Sequence, residues 1–427
     1  MMNNDKSNST SLVARLMAMI LAAAVLTMSL LSCGLQISAA DLMEGINGDD
    51  VSAKPIDDAF RTAVADFSFD LYRESQKCAS AKDNHLISPI SALVALGMTS
   101  LGAEGDTRAQ FEEIFGIPVE ELAAYMTTYL ATLESGKNFK LSLANSIWFD
   151  NGFDVKHAFL AANKGYYGAQ MYGVDFASPT ALDDINKWVK KNTDGMIDKL
   201  TDKLPPATAM VLLNAVCFDA KWQEKYEKSD ITDGVFHNGN GETVTVSMLH
   251  SEEHRYIVTD DGARGMMKYY ESNKYAFVAL LPAEDADIDA YVASLGGADF
   301  LAMVENADYA SVKVGLPKFT YDCNMLLNEP LIAMGLVDAF DGNAADFRGI
   351  SDTAVAIDQV IHKTHIELDE NGTKAAAVTG IVMTEGSAMI GPQITLTFDR
   401  PFVYAIIDTE TNLPLFLGTI KTLGPDF

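Results

Sequence analysis

The chain has 427 residues, and its 31 Lys plus Arg face 59 Asp plus Glu, a formal charge of −28. That acidity excludes electrostatic capture of nucleic acid or of an anionic membrane surface. With 48% hydrophobic, 21% charged and 9% aromatic residues, the composition suits a globular body and neither a disordered chain nor a polytopic membrane protein.

The first unit in the chain is an export signal. Residues 1–14 are polar apart from their ends, Lys6 and Arg15 are the positive charges, and the apolar stretch 16–31 follows. It ends Leu30-Leu31-Ser32-Cys33-Gly34, which resembles the lipobox of bacterial lipoproteins, where the Cys thiol is lipidated and the chain is cut just before it. Residues 1–32 therefore read as a lipoprotein-type signal peptide, with an ordinary secretory signal or an uncleaved anchor as the alternatives. Their removal leaves a mature chain of charge −29. Residues 33–56 contain Gly, Ala, Ser and Asp without sustained periodicity and read as a tether between lipid and body. Residues 57–427 read as one large domain, because no comparable linker and no internal repeat follows. The expected location is exported and lipid-anchored on the extracellular face of the cell surface or envelope, or secreted.

Further along, residues 184–189 place Ile185, Trp188 and Val189 on one face of an amphipathic helix, with Asp184 near its start to complement the helix dipole. Residues 275–281 form a continuous apolar run closed by Pro282, the pattern of a strand buried on both faces. Val312, Val314 and Leu316 alternate before Pro317, and Ile394, Leu396 and Phe398 alternate again. Residues 402–407 and 415–420 flank a polar turn at 408–412. Helices early and strands late point to an α+β fold rather than a βαβ series.

Enzyme chemistry is hard to find. The sequence has no GxSxG, HExxH or Walker loop, and Gly239-Asn240-Gly241 has the setting of a hairpin turn. Asp369-Glu370-Asn371-Gly372 lacks the later ligands of a calcium loop and reads as a turn. His254, His362 and His365 have no marked nucleophile beside them and read as structural. Cys33, Cys78, Cys217 and Cys323 stand too far apart for a zinc site and are too few for a disulfide framework, so buried thiols are expected. The chain thus reads as a non-enzyme with no cofactor and no metal.

One segment departs from ordinary pattern. From Ala375 to Pro392 the residues other than Glu385 are small or apolar, with no Lys, Arg or His, and Thr and Gly oppose a helix. A loop this long inside a compact domain is usually functional. Small side chains suit entry into a sheet, where they pass between existing strands at low steric cost.

At this point the chain resembles the serpins from about residue 57 to its end. The resemblance is carried by Asn84-His85-Leu86-Ile87-Ser88-Pro89-Ile90-Ser91, by Leu143-Ala144-Asn145-Ser146-Ile147-Trp148, and by Leu213-Asn214-Ala215-Val216-Cys217-Phe218-Asp219-Ala220-Lys221-Trp222. Leu316-Pro317-Lys318-Phe319, Val360-Ile361-His362-Lys363, Glu370-Asn371-Gly372-Thr373-Lys374-Ala375-Ala376-Ala377 and Phe398-Asp399-Arg400-Pro401-Phe402 follow in the family's order.

The resemblance implies about nine helices around three β-sheets, with residues 375–392 exposed as a reactive-centre loop. A serine protease attacks that loop and is acylated, the loop inserts into the central sheet, and the trapped enzyme is deformed. In this scheme Ser88, Ser91, Asn214 and His362 form a polar shutter under the sheet, Trp222 lies at the breach where insertion starts, and Lys318 pairs with Glu370. Glu370, Gly372, Thr373, Ala375, Ala376 and Ala377 form the hinge. Glu385, Gly386, Ser387, Ala388 and Met389 hold the scissile bond. Counting forward from Glu370 favours Gly386-Ser387, and counting back from Arg400 favours the neighbourhood of Met389-Ile390. No Lys or Arg lies between Ala375 and Asp399, so the expected partner is an elastase-like, subtilisin-like or chymotrypsin-like protease, with trypsin at best weakly affected. A monomer, bound to the membrane through Cys33, is expected. The competing readings are a non-inhibitory serpin that acts as a binding protein, and a lipid-anchored hydrolase.

Overall fold

The computed structural model describes residues 37–80, 83–133, 139–373 and 394–424. From the N-terminus the elements are β1 (Ala40–Asp41), α1 (Asp58–Cys78), β2 (His85–Ile87), α2 (Pro89–Ser100), α3 (Gly105–Phe115), α4 (Val119–Thr132), β3 (Phe139–Asp150), α5 (His157–Tyr167), β4 (Gln170–Val174) and α6 (Pro179–Asn192). Next come β5 (Met210–Lys221), β6 (Ile231–His237), β7 (Thr243–Val258), β8 (Arg264–Tyr269), β9 (Tyr275–Leu281), α7 (Ile288–Ser294) and α8 (Gly297–Glu305). The chain closes with β10 (Asp308–Pro317), β11 (Phe319–Leu326), α9 (Asn328–Ala333), β12 (Gln359–Leu368), β13 (Gly372–Thr373), β14 (Ile394–Thr397), β15 (Phe402–Asp408) and β16 (Pro414–Ile420).

Local chemistry explains the helix starts. The Asp57 carboxylate accepts the Phe60 N–H at 3.0 Å and caps α1, whose Phe60, Val64, Phe67 and Leu71 share one buried face. Helix α2 begins at Pro89, which suits the first helical position, and all twelve of its residues are buried. It is the central post of the core. Helix α6 has Ser178 as its cap and turns Ile185, Trp188 and Val189 inward, as the spacing predicts.

Among the described residues two hydrogen-bonded sheets result. The first has seven strands in the order β1-β4-β3-β5-β13-β12-β11. The second has nine, in the order β14-β10-β7-β8-β9-β15-β16-β2 with β6 on β7. The sixteen-residue β7 runs through both halves of this second network, so the two smaller sheets of the family pattern are joined by one strand. All seven residues of β9 are buried between β8 and β15, and the β15–β16 hairpin forms as expected.

Strand β5 separates the two cores by its alternation. Leu212, Val216 and Phe218 face the large core with α2, whereas Val211, Leu213, Ala215 and Cys217 join a smaller cluster beneath Ile185, Trp188 and Val189 of α6. Helix α6 therefore lies across the outer face of the first sheet.

Two expectations are corrected here. Residues 37–56 are not a free tether. Ala40 and Asp41 pair with β4, the Ser38 N–H and hydroxyl both donate to the Asp184 carboxylate, Asp49 N–H donates to Ala161, and Lys54 N–H donates to Ala124. Met43 is buried, and Gly165 admits the strap closely, since a Cβ there would stand 2.7 Å from the Asp49 carbonyl oxygen. The strap uses backbone bonds and scattered apolar contacts, which leave no periodic trace in sequence. The thiols also differ: Cys217 is buried, but Cys323 is half-buried on β11 and Cys78 is exposed where α1 ends.

Candidate functional site: the fork in the central sheet

Strands β5 and β12 pair in parallel from Val211↔Gln359 to Cys217↔His365. Above that level they diverge, and β13 lies in the fork. Thr373 pairs with Ala220 of β5 on one side and with Leu368 of β12 on the other. Gly372 is required at this point, because a Cβ would stand 2.0 Å from the Ala220 carbonyl oxygen. The Asp369 carboxylate accepts the Asn371 and Gly372 N–H groups at 2.7 and 3.2 Å, which makes the turn that the sequence predicts.

Aromatic side chains hold these hinge residues. Trp222 is fully buried; its backbone N–H donates to the Asn371 carbonyl and its indole N–H to the Asp369 carbonyl, each at 2.9 Å. Tyr270 stacks on Trp222 with 4.5 Å between ring centres, and its hydroxyl meets Thr373 Oγ1 at 2.7 Å. Tyr226 N–H donates to the Glu370 carbonyl at 3.2 Å. The Lys268 ammonium lies 4.6 Å from the Tyr226 ring centre and 5.6 Å from that of Trp222. It is buried and bonds Glu253 at 2.7 Å, and the same carboxylate accepts the Ser251 hydroxyl. Burial opposes the charge on Lys268, but the Tyr226 and Glu253 oxygens outweigh it and raise the amine above its ordinary range. At the loop's root, Lys318 and Glu370 form an ion pair. Burial works to raise the Glu370 carboxyl, and the Lys318 ammonium overrides it, so the group is held below the usual carboxylate range.

Lower in the sheet, His362 on β12, Asn214 on β5 and Asn145 on β3 lie level. His362 Nε2 accepts the Ser88 backbone N–H at 3.0 Å, while Nδ1–H donates to Asn214 Oδ1. The Asn214 amide donates to Ser91 Oγ at 2.6 Å and to Asn145 Oδ1 at 2.5 Å, and Ser91 Oγ donates to Asn145 Oδ1 at 3.0 Å. These bonds link α2 to three strands, and moving β5 away from β12 breaks the one between His362 and Asn214. A second histidine, His85 on β2, bonds Ser75 Oγ at 2.8 Å. Burial pushes both imidazoles down to about 3.

The structure brings Ser88, Ser91, Asn214 and His362 together, with Ser88 contributing its backbone N–H, and brings Trp222, Lys318, Glu370, Gly372 and Thr373 together at the fork. Ala375, Ala376, Ala377, Glu385, Gly386, Ser387, Ala388, Met389 and Cys33 lie outside the described residues. Sequence reasoning missed Asn145, which stands in a quoted block as a polar residue inside a strand. It also missed His85, Tyr226, Tyr270, Lys268 and Glu253, whose partners are remote in sequence and leave no spacing to read.

The central sheet is thus closed below, where β5 pairs with β12, and parted above by Gly372 and Thr373. The chain belongs to the serpin family, whose model, described as serine protease inhibitor, matches residues 62–422. Leukocyte elastase inhibitor A of Mus musculus is 31% identical over 369 residues, 83% of this chain and 97% of its own length. Among solved structures, the thermophilic serpin tengpin in its native state is 41% identical with a TM-score of 0.86, over 91% of this chain and all of that one. Tengpin in its latent state, 40% identical over 87% of this chain and all of that one, has a TM-score of 0.76. At nearly equal identity the native state fits better, in agreement with the closed β5–β12 pair.

Proposed function

We propose that this protein is a suicide-substrate inhibitor of extracellular serine proteases of elastase-like or subtilisin-like specificity, monomeric and lipid-anchored through Cys33. One observation carries the inhibitory reading: β5 and β12 are parallel neighbours already parted by Gly372 and Thr373. A strand continuing β13 between them would run antiparallel to both, replacing one parallel ladder by two of the more stable antiparallel kind. With Thr373 opposite Ala220, residues 374–383 would face 219–210 in turn. Thr373 points to Tyr270 in the core, so alternation turns Ala375, Ala377, Thr379, Ile381 and Met383 inward and Lys374 outward. Every inward residue is apolar or Thr, which suits burial, and the one charge faces solvent.

The same register bears on the scissile bond. Residue 383 would reach the start of β5, so a cut at Gly386-Ser387 leaves a short overhang, and one at Met389-Ile390 leaves more slack. This supports the early end of the window Glu385 to Met389. The elastase-inhibitor relative and the apolar loop support the target class.

The test is to incubate the mature protein with pancreatic elastase and with subtilisin, look for a complex that survives SDS, and weigh the released C-terminal fragment. A stable complex and a cut within 385–390 are expected. If both proteases cleave the loop and keep full activity, the inhibitory reading fails and the non-inhibitory binding protein takes its place. Sustained ester turnover at substoichiometric protein would instead point to the hydrolase.

A further inference from the structure

The packed strap decides which way an anchored molecule stands. Ala40 pairs with Gly173, Gly173 with Phe149, and Phe149 with Met210, so Ala40 is level with the start of β5. Thr373, from which the reactive loop departs, is level with Ala220. The ten residue steps from Met210 to Ala220, at about 3.3 Å each, separate the two levels by about 33 Å. Strand β1 runs antiparallel to β4, so residues 37–39 precede it on the side away from the loop. They are held there: Ile37 and Ala39 pack against the cluster under α6, and Ser38 bonds Asp184 twice.

Cys33 is four residues upstream of Ile37. Four extended residues span at most about 14 Å. A tether free from 33 to 56 would have let the body tumble through any orientation; the packed strap removes most of that reach.

Resting on the proposed lipidation of Cys33, we infer that the protein stands on the bilayer on its loop-distal pole, with the strap as a fixed stalk. The partner surface is the lipid headgroup region, met by the pole formed by the end of β4, the start of α6 and the start of β5. The reactive loop then projects away from the membrane toward soluble proteases. The charge of −29 on the mature chain opposes lying flat on an anionic bilayer, so the lipid alone supplies the attraction.

The test uses the full mature protein in phosphatidylcholine–phosphatidylglycerol vesicles that carry an acceptor-labelled lipid. A donor dye is placed by Ala177→Cys, just beyond the end of β4, or by Ser272→Cys, beside Glu271 whose N–H donates to Lys221 at the loop end; Cys78→Ser removes the exposed native thiol. Energy transfer to the bilayer is expected to be several-fold higher from position 177 than from position 272. Equal or reversed transfer, with Cys33 shown by mass to carry its lipid, overturns the orientation and leaves the anchoring intact. An unmodified Cys33 in protein that fails to float with vesicles overturns the anchoring, and the orientation falls with it.

Discussion

His362 and His85 are buried as neutral rings, and this makes acid a specific stress on the shutter. Their folded values lie near 3, against about 6.5 for an unfolded histidine. Below pH 6.5 the unfolded chain takes up protons that the native chain refuses, so stability falls as pH drops toward 3. By pH 5 the loss is about 2 kcal/mol for each ring. The variant His85→Leu is therefore expected to remove about half of the histidine-dependent slope of stability between pH 7 and 5; urea midpoints across that range measure it, and an unchanged slope refutes the assignment. Protonating His362 Nε2 also removes the acceptor for the Ser88 N–H, so spontaneous loop insertion should quicken only as the pH approaches 3. A second residue-scale prediction concerns Lys268 beneath the Trp222–Tyr226 clamp. Lys268→Met strands the Glu253 carboxylate in the interior, an expected loss of about 3–5 kcal/mol. Pairing it with Glu253→Leu should recover most of this in urea unfolding, while each single variant loosens the hinge and shifts Trp222 fluorescence. If the double variant is no more stable than Lys268→Met alone, the ion pair does not support the clamp.

At the scale of elements, α6 packs across the strands that the proposed insertion would part. Its Trp188 is buried against Trp148 and donates its indole N–H to Gln170 Oε1 at 2.7 Å, so parting β5 from β12 disturbs the small outer core that includes Ile361. Trp188→Ala is expected to cost about 3–5 kcal/mol of native stability. It should also raise the fraction that inserts its own loop on mild heating, read as loss of inhibition without cleavage. Retention of full inhibitory capacity after the same heating would show that α6 does not restrain the sheet. This helix was legible from Ile185, Trp188 and Val189, and β9 from its unbroken apolar run, because one face or both faces of each element are buried in full. The hinge turn was legible from Asp369 and Gly372. The strap from Ile37 to Ile56 was not, since two residues of β1 and a handful of backbone bonds carry no period. Nor was the fork itself: it depends on β12 lying beside β5, a pairing between segments far apart in sequence that only the three-dimensional register reveals.

For the whole molecule, the proposed insertion and the proposed anchoring point to the same pole. A protease acylated on the loop starts near the level of Ala220 and is carried, as residues 374–383 fill the fork, to the level of Met210. On a molecule anchored as proposed that is the pole facing the bilayer, and the four residues from Cys33 to Ile37 span at most about 14 Å. A protease domain of about 250 residues has a radius of gyration of about 18 Å and does not fit into that gap. Either the acyl-enzyme stops short of full translocation, or the strap peels from β4 and α6 to lengthen the tether. The strap is held by two bonds to the buried Asp184 and by the β1–β4 pairing, so its release opposes the last steps of insertion. The vesicle-bound protein is therefore expected to need more inhibitor per protease trapped than the Cys33→Ser protein in solution, because more acyl-enzymes hydrolyse before they are deformed. Titrating one elastase preparation against both forms measures the difference. Equal stoichiometries would mean that the strap yields freely, and hydrogen exchange of residues 37–56 in the vesicle-bound complex should then rise to the level of an unpacked chain.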